Sequence, residues 1–227
     1  MGRITLICTA YRESGKCNVQ ELAKILEAIG PEVIFEEIRP TDHESFYADE
    51  SRHTVEMHAI REYLKGNKCR QVSVDDYEMP DDFGAYLHAL DEFVGSNSIE
   101  YRETMDEMSR KKFELGFSYL NSSAFISGFK ESERIYQETI LKYGNDLAKS
   151  KLSQWNQQVR KRDSSMLENI YCFCQQSDFK EGVFLIGAGH MSSIMEEIDQ
   201  RMKNPTNYVT WRYWGELNTF KANFLEE

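Results

Sequence analysis

Residues 183–190 read Val-Phe-Leu-Ile-Gly-Ala-Gly-His, four apolar residues followed by a glycine-rich turn. An uninterrupted apolar block of this length is typical of a strand that is covered on both faces, as in a parallel sheet. Beyond the turn, Met191, Ile194 and Ile198 recur at helical spacing. The stretch therefore predicts a strand, a sharp turn and a helix, with His190 close to the amino terminus of that helix.

The amino-terminal part of the chain repeats this pattern of strand and helix. Asn18, followed three residues later by Glu21, is typical of a helix start, and Gly30 and Pro31 end the apolar periodicity that follows. A second helix is predicted at about residues 51–65. The predicted strands cover residues 4–10, 33–35, 71–74, 183–186 and 208–214. Strands that alternate with helices predict an α/β fold with a mainly parallel sheet and flanking helices.

A long helical region separates the third predicted strand from the fourth. No proline occurs between Pro80 and Pro205, and most of this stretch is rich in Glu, Lys, Leu, Met, Gln and Arg. We expect a helical insertion at residues 81–178 within a single α/β domain that spans residues 1–227. Breaks between its helices are predicted at Gly116, Gly128 and Gly144 and in the polar segments 96–98 and 121–123.

Composition predicts a cytoplasmic protein that binds neither nucleic acid nor membranes. The formal net charge of -11 gives a surface that repels phosphate backbones and anionic lipids. The sequence has no secretory signal pattern, and no apolar stretch approaches the roughly 20 residues that span a bilayer. Its five cysteines lack zinc-like spacing and indicate reduced thiols. The expected partner is a small-molecule or peptide ligand, and the sequence indicates no oligomeric state.

Acidic side chains follow two of the predicted strands. Glu36 and Glu37 end the second strand, and Asp75 and Asp76 end the third. Open α/β sheets bind their ligands at the carboxyl ends of the strands, so these residues are candidates for a pocket. Successive strand residues point to opposite faces, so one glutamate of the first pair faces into a given cleft. The alternatives are a solvated strand end and, for the aspartates, a turn.

His190 and Arg162 are further candidates. The positive end of the predicted helix favours a neutral imidazole at His190 with an anionic ligand nearby, and a neutral imidazole can bind metal or accept a proton. A capping histidine without a chemical role is the alternative. Arg162 can supply a guanidinium to a carboxylate or substrate anion, although the charged run 160–163 is by pattern typical of a solvated helix face. His53 and His58 are five residues apart and do not form a helical zinc pair.

Four segments, taken in order, carry a resemblance to a known family. They are the strand 4–11, the strand 31–37, the segment 162–166 (Arg-Asp-Ser-Ser-Met) and the stretch 183–194. They resemble the TraB, PrgY and Tiki group of the erythromycin-esterase and ChaN-like superfamily, which has a Gly-x-x-His motif, a Glu, an Arg-(Asp or Asn)-x-x-Met motif and a second Gly-x-x-His. The resemblance implies an EreA/ChaN-like fold in which Glu37, Arg162 and His190 line one site above Met166.

The first motif departs from the family pattern. Residues 8–11 read Cys-Thr-Ala-Tyr, without the glycine or the histidine. Tiki-type relatives are regarded as metal-dependent peptidases that use both histidines and the glutamate, and a phenol is a much poorer ligand than an imidazole. A divalent transition metal held by His190 and Glu37 would therefore need further ligands. The candidates are Tyr11, Glu13, Asp75 and Asp76.

The resemblance and the motifs lead to three functional hypotheses. The first is a metal-dependent hydrolase of a peptide or ester, with Glu37 as general base or metal ligand, His190 as ligand or acid/base, and Arg162 orienting the substrate. The second is a non-catalytic binding or regulatory protein that holds a peptide or small anion. The third is a haem- or metal-binding protein. In each case Glu36, Gly187 and Gly189 are expected to complete the pocket.

Overall fold

Five parallel strands form one sheet in the part of the chain that the computed structural model describes, residues 2–49, 54–78, 83–203 and 209–217. The sheet order is β3-β2-β4-β1-β5, and every pairing is parallel. The strands are β1 (Gly2–Thr9), β2 (Val33–Glu36), β3 (Arg70–Ser73), β4 (Glu181–Gly187) and β5 (Val209–Tyr213). The predicted α/β fold with a mainly parallel sheet is confirmed.

Helices flank the sheet and fill the connection between β3 and β4. The helices are α1 (Val19–Ile29), α2 (His43–Ala48), α3 (Val55–Leu64), α4 (Phe83–Asn97), α5 (Ile99–Leu115), α6 (Phe117–Leu120), α7 (Ser123–Tyr143), α8 (Asp146–Gln176) and α9 (Met191–Met202). Helices α4 to α8 form the helical insertion that the sequence predicts between the third and fourth strands. Among the described residues, no helix is both long enough and apolar enough to cross a membrane.

The apolar block Val183–Ile186 lies in the central strand of the sheet. Strand β4 lies between β2 and β1, and residues Val183–Ile186 are buried on both faces. Phe184 is the register partner of Phe35 on β2, and both side chains have no exposed surface. Burying a side chain of this size contributes about 1.5–3 kcal/mol, so the two rings anchor the centre of the core.

Helix α8 joins the sheet to the insertion. Its carboxyl-terminal half covers one face of the sheet, where Phe173 packs edge-on against Phe35 with ring centroids 5.4 Å apart. On the same face, Trp211 Nε1 donates a hydrogen bond of 3.0 Å to the Tyr171 hydroxyl. The amino-terminal half belongs to a separate apolar cluster with α4 and α7. The buried members of that cluster are Leu90, Val94, Ile140, Ala148 and Leu152.

Most predicted helix ends are where the sequence placed them. The Asn18 side chain accepts a hydrogen bond from the Glu21 amide at the start of α1, and Ser98 and Ser122 cap α5 and α7 in the same way. Gly116 and Gly144 follow the last residues of α5 and α7. The predicted break at Gly128 is wrong. That glycine lies inside α7, where burial of Phe125 and Ile135 outweighs the roughly 1 kcal/mol that one glycine costs a helix.

The last strand lies at the edge of the sheet. Trp211 and Tyr213 of β5 are buried, so the aromatic residues of this strand belong to the core. Strand β5 pairs with β1 as far as Leu6, and beyond that point the side chain of Asn121 takes its place. Asn121 Oδ1 accepts from the Cys8 amide at 2.8 Å, and its Nδ2 donates to the Cys8 carbonyl at 2.9 Å.

Three predicted boundaries fall partly outside the described residues. Ser51 and His53, at the start of the predicted second helix, lie outside them, and the helix that is described begins at Val55 with Thr54 as its cap. Tyr208 also lies outside, and β5 begins at Val209. The start of the predicted insertion, residues 81 and 82, is outside as well.

Candidate functional site

The carboxyl ends of three neighbouring strands bring charged side chains together. Glu37 follows β2, Asp75 follows β3, and His190 ends a short 3₁₀ turn after β4. Helix α8 lies against this edge and adds Arg162 and Asp163. The three candidates that the resemblance implies, Glu37, Arg162 and His190, are thus neighbours, although they come from three distant parts of the chain.

Arg162 contacts three other side chains of the cluster, those of Glu37, Asp75 and His190. Its Nη2 donates to Glu37 Oε1 at 2.6 Å, and its Nε and Nη2 donate to Asp75 Oδ2 at 3.0 and 2.7 Å. Burial acts to lower the pKa of Arg162, but the hydrogen bonds to Asp75 and the charges of Glu37 and Asp75 outweigh it and raise that pKa. Arg160 and Lys161 are exposed as the pattern predicts, whereas Arg162 is a half-buried cation held between carboxylates.

Glu37 is held from two sides. Its Oε2 accepts a hydrogen bond of 2.8 Å from the Gly187 amide, and its Oε1 lies 3.4 Å from His190 Nε2 as well as beside Arg162. A Cβ at Gly187 would lie 3.3 Å from Glu37 Oε2, so glycine leaves room for the carboxylate. Burial acts to raise the pKa of Glu37, but His190, Arg162 and the Gly187 amide lower it to about 2. A carboxylate with so low a pKa is a weak general base at neutral pH.

His190 is paired with a buried aspartate. Its Nδ1 lies 2.5 Å from Oδ1 of Asp163, which has no exposed surface, and its Nε2 lies 3.2 Å from Arg162 Nη1. Burial acts to lower the pKa of His190, but Asp163 and Glu37 together raise it to about 9. This upward shift runs against the neutral imidazole that the sequence predicts, because two carboxylates outweigh the helix amino terminus.

Sequence reasoning missed Asp163 as a site residue, although the signal was present. Asp163 lies on the apolar stripe of α8, four residues after Val159 and three before Met166. A charge on the buried stripe of a helix requires a partner, and here the partner is His190. Met166, the last residue of the same motif, is fully buried in the main core. The second oxygen of Asp163, Oδ2, is buried without a hydrogen-bond partner among the described residues.

Glu36 and Glu37 diverge as strand alternation predicts. Glu36 accepts hydrogen bonds from the Tyr47 hydroxyl at 2.5 Å and from Gln71 Nε2 at 3.0 Å. Burial raises the pKa of Glu36 despite these hydrogen bonds. Tyr47 belongs to α2, so Glu36 is held by a different helix from the one that holds Glu37. Strand alternation left open which glutamate faces the cluster, the resemblance implied Glu37, and Glu37 is the one that contacts Arg162 and His190.

The remaining pocket candidates divide into two groups. Tyr11 and Gly189 line the same cavity as Glu37, and the Tyr11 side chain is exposed. Glu13 and Asp76 are placed elsewhere. Glu13 Oε1 accepts from the Val19 amide at the start of α1, and Asp76 accepts from the Ser165 hydroxyl at 2.5 Å. These hydrogen bonds hold the two carboxylates away from Glu37.

A cavity of about 440 Å³ opens beside the cluster. Glu37, Arg162 and His190 form its charged side. Its apolar side consists of Ile38, Phe46, Met57 and Leu185. The volume lies in the range of small-molecule sites, which combine an apolar wall with a few polar groups. A second, wider cleft of about 900 Å³ between α7, α8 and α9 reaches the same point, since His190 and Gly189 line both.

The donor set does not fit a divalent metal ion. In the part of the chain that is described, no three His, Cys, Asp or Glu side chains form a group that could hold one. Arg162 lies against two of the carboxylates, and its Nη1 faces His190 Nε2. A metal at Glu37 and His190 would therefore meet a guanidinium at close range and require the imidazole to lose its proton.

Comparison with known proteins adds no relative. No family model, no curated protein and no solved structure matches the chain. The resemblance to the TraB, PrgY and Tiki group stays a prediction, and the function is argued from the geometry of the cluster.

Proposed function

We propose that the protein is a hydrolase of a small ester or peptide, in which Arg162 and His190 bind the carbonyl oxygen under attack. The observation that carries this proposal is the position of a guanidinium and an imidazole side by side at the cavity wall. Arg162 Nη1 and His190 Nε2 are 3.2 Å apart at the wall of a 440 Å³ cavity, and buried carboxylates hold both. Positive groups that are fixed before the reaction stabilise the charge that develops on the oxygen, without reorganisation at that moment.

The acidic residues then act by positioning. Glu37, ionised because its pKa is about 2, contacts Arg162 and His190 with the same oxygen, Oε1. Asp75 holds the guanidinium by accepting a hydrogen bond from Nε, and Asp163 holds the imidazole through Nδ1. We propose this positioning role for Glu37 in place of a general base or a metal ligand.

The shape of the site suggests the class of substrate. The apolar wall formed by Ile38, Phe46 and Met57 suits an apolar group next to the scissile bond. The wider cleft that shares His190 leaves space for an extended remainder, as in a peptide or a long ester. A cytoplasmic location is part of the proposal, and it is supported by five cysteines that are all free thiols.

The test is hydrolysis of a panel of esters and short peptides, with and without a metal chelator. His190→Gln and Arg162→Lys should each lower kcat by about 10²–10³-fold, the usual loss of one oxyanion donor. Arg110→Lys, on the exposed face of α5, is the matched control and should retain full activity. Equal activity in all four proteins, or activity that requires added metal, would contradict the proposal.

A specific observation favours a second candidate, a binding protein without catalysis. Two nitrogens of the Arg162 guanidinium, Nε and Nη2, already donate to Asp75 and Glu37, and the third, Nη1, lies 3.2 Å from His190 Nε2. A ligand would then contact the apolar wall and the rim of the cluster without being cleaved. A bound ester that raises the melting temperature and is recovered intact would support this candidate over the first.

A further inference from the structure

A further acidic residue, Glu56, lines the cavity. It lies in the first turn of α3, which Thr54 caps, and it lines the cavity together with Glu37, Arg162 and His190. No motif of the sequence marks Glu56, and none of the roles assigned above uses it. Its carboxyl group meets Thr9, the residue in the second position of the divergent Cys-Thr-Ala-Tyr segment.

Both oxygen contacts of Thr9 are hydrogen bonds at the same time only when Glu56 carries a proton. Thr9 Oγ1 is 2.5 Å from Glu56 Oε1 and 3.0 Å from the carbonyl oxygen of Ile186. A carbonyl can only accept, and a hydroxyl has a single proton to donate. When Thr9 donates to Ile186, the short contact to Glu56 requires a proton on the carboxyl group, which then donates to Thr9.

The surrounding charges favour the same arrangement. Burial raises the pKa of Glu56 and the charge of Glu37 adds to that rise, and together they outweigh the hydrogen bonds with Thr9, with Thr54 and with the backbone of Glu56 itself, which lower it. Two carboxyl groups that share one cavity do not both ionise readily, so the one without a cation keeps its proton. The cations on the cavity wall, Arg162 and His190, are held by Glu37, Asp75 and Asp163. The other titratable groups that line the cavity are Tyr11 and Glu36.

We infer that Glu56 is the proton donor of this site, an inference that rests on the proposed hydrolase function. Water attacks the acyl carbon, and the bond from that carbon to the leaving oxygen or nitrogen breaks. Glu56 gives its proton to the leaving atom, and the carboxylate so formed takes the proton that the attacking water loses. Charge and protons balance, and no co-reactant other than water is needed. The division of labour matches sites in which paired carboxyl groups have opposite protonation states.

The proton itself can be observed without any substrate. Infrared spectra of the folded protein at pH 7 should contain a carbonyl band from protonated carboxyl groups, and Glu56→Gln should remove a component of that band that Glu36→Gln leaves in place. Glu62→Gln, on the exposed face of the same helix, is the matched control and should leave the band unchanged. Circular dichroism verifies that each variant is folded. Absence of the band in the wild-type protein, or an undiminished band in folded Glu56→Gln protein, would overturn the inference.

Kinetics then test the catalytic role. Glu56→Gln should lower kcat about 10²–10⁴-fold for substrates with poor leaving groups, the usual contribution of a general acid, and much less for activated aryl esters. An equal loss for both kinds of substrate would overturn the role of Glu56 but not the hydrolase proposal. If the wild-type protein hydrolyses nothing, the proposed function fails and the catalytic role of Glu56 fails with it, whereas the infrared band still reports the proton.

Discussion

Replacing Asp163 with asparagine should lower the pKa of His190 while keeping the shape of the site. The folded-state pKa of His190 is about 9 against an ordinary value of 6.5, a difference that corresponds to about 3 kcal/mol. Because the folded pKa is the higher one, this stabilisation is complete below pH 6.5 and is lost as the pH rises through 9. Asp163 shares the effect with Glu37, so Asp163→Asn should remove about 1–2 kcal/mol of it at pH 7.

Two measurements, NMR titration and urea unfolding, test the predicted effect of Asp163→Asn. Titration by NMR should show that the pKa of His190 in Asp163→Asn protein is lower than in the wild type by at least about one pH unit. Urea unfolding should show a smaller loss of stability between pH 6 and pH 10 in the variant. Asp106→Asn, on the exposed face of α5, is the control and should change neither result. An unchanged His190 titration in Asp163→Asn protein would refute the reasoning.

Three other substitutions probe the neighbourhood. Glu37→Gln removes a group whose folded-state pKa is about 2, against an ordinary value of 4.5. The stabilisation from this group is present above pH 4.5 and is lost as the pH falls through 2, so the variant should lack about 3 kcal/mol of it. Acid unfolding followed by circular dichroism measures the difference. Asn121→Ala leaves the amide and carbonyl of Cys8 unpaired and should cost about 2–4 kcal/mol in urea; a cost below about 0.5 kcal/mol would contradict that role. Gly187→Ala places a methyl group against Glu37 and should destabilise the fold by about 1–3 kcal/mol in the same assay.

The strands could be predicted from local pattern, but their order could not. Uninterrupted apolar blocks and the capping residue Asn18 are local signals, and they placed the strands and the first helix within a few residues. The order β3-β2-β4-β1-β5 puts β4 between β1 and β2, although 144 residues separate the end of β2 (Glu36) from the start of β4 (Glu181). Pairing over such a separation depends on the packing of α8 and the insertion, which local periodicity does not report.

The candidate site divides in the same way. Alternation along β2 predicts that Glu36 and Glu37 diverge, and Asp163 can be recognised as a charge on an apolar helix stripe. The charge of His190 could not be predicted without Asp163, because the helix amino terminus alone favours the neutral ring. Glu56 was invisible for a different reason. Its partner Thr9 lies 47 residues away in sequence, and both residue types are common at unremarkable surface positions.

The central claim is that Glu37 and His190 act on each other across the carboxyl edge of the sheet, 3.4 Å apart. A double-mutant cycle tests it most directly, from urea unfolding of the wild-type protein, Glu37→Gln, His190→Gln and the double variant at pH 7. We predict a coupling energy of at least about 1 kcal/mol, within the range for residues in direct contact. Additive losses, with a coupling energy below about 0.5 kcal/mol, would contradict the account.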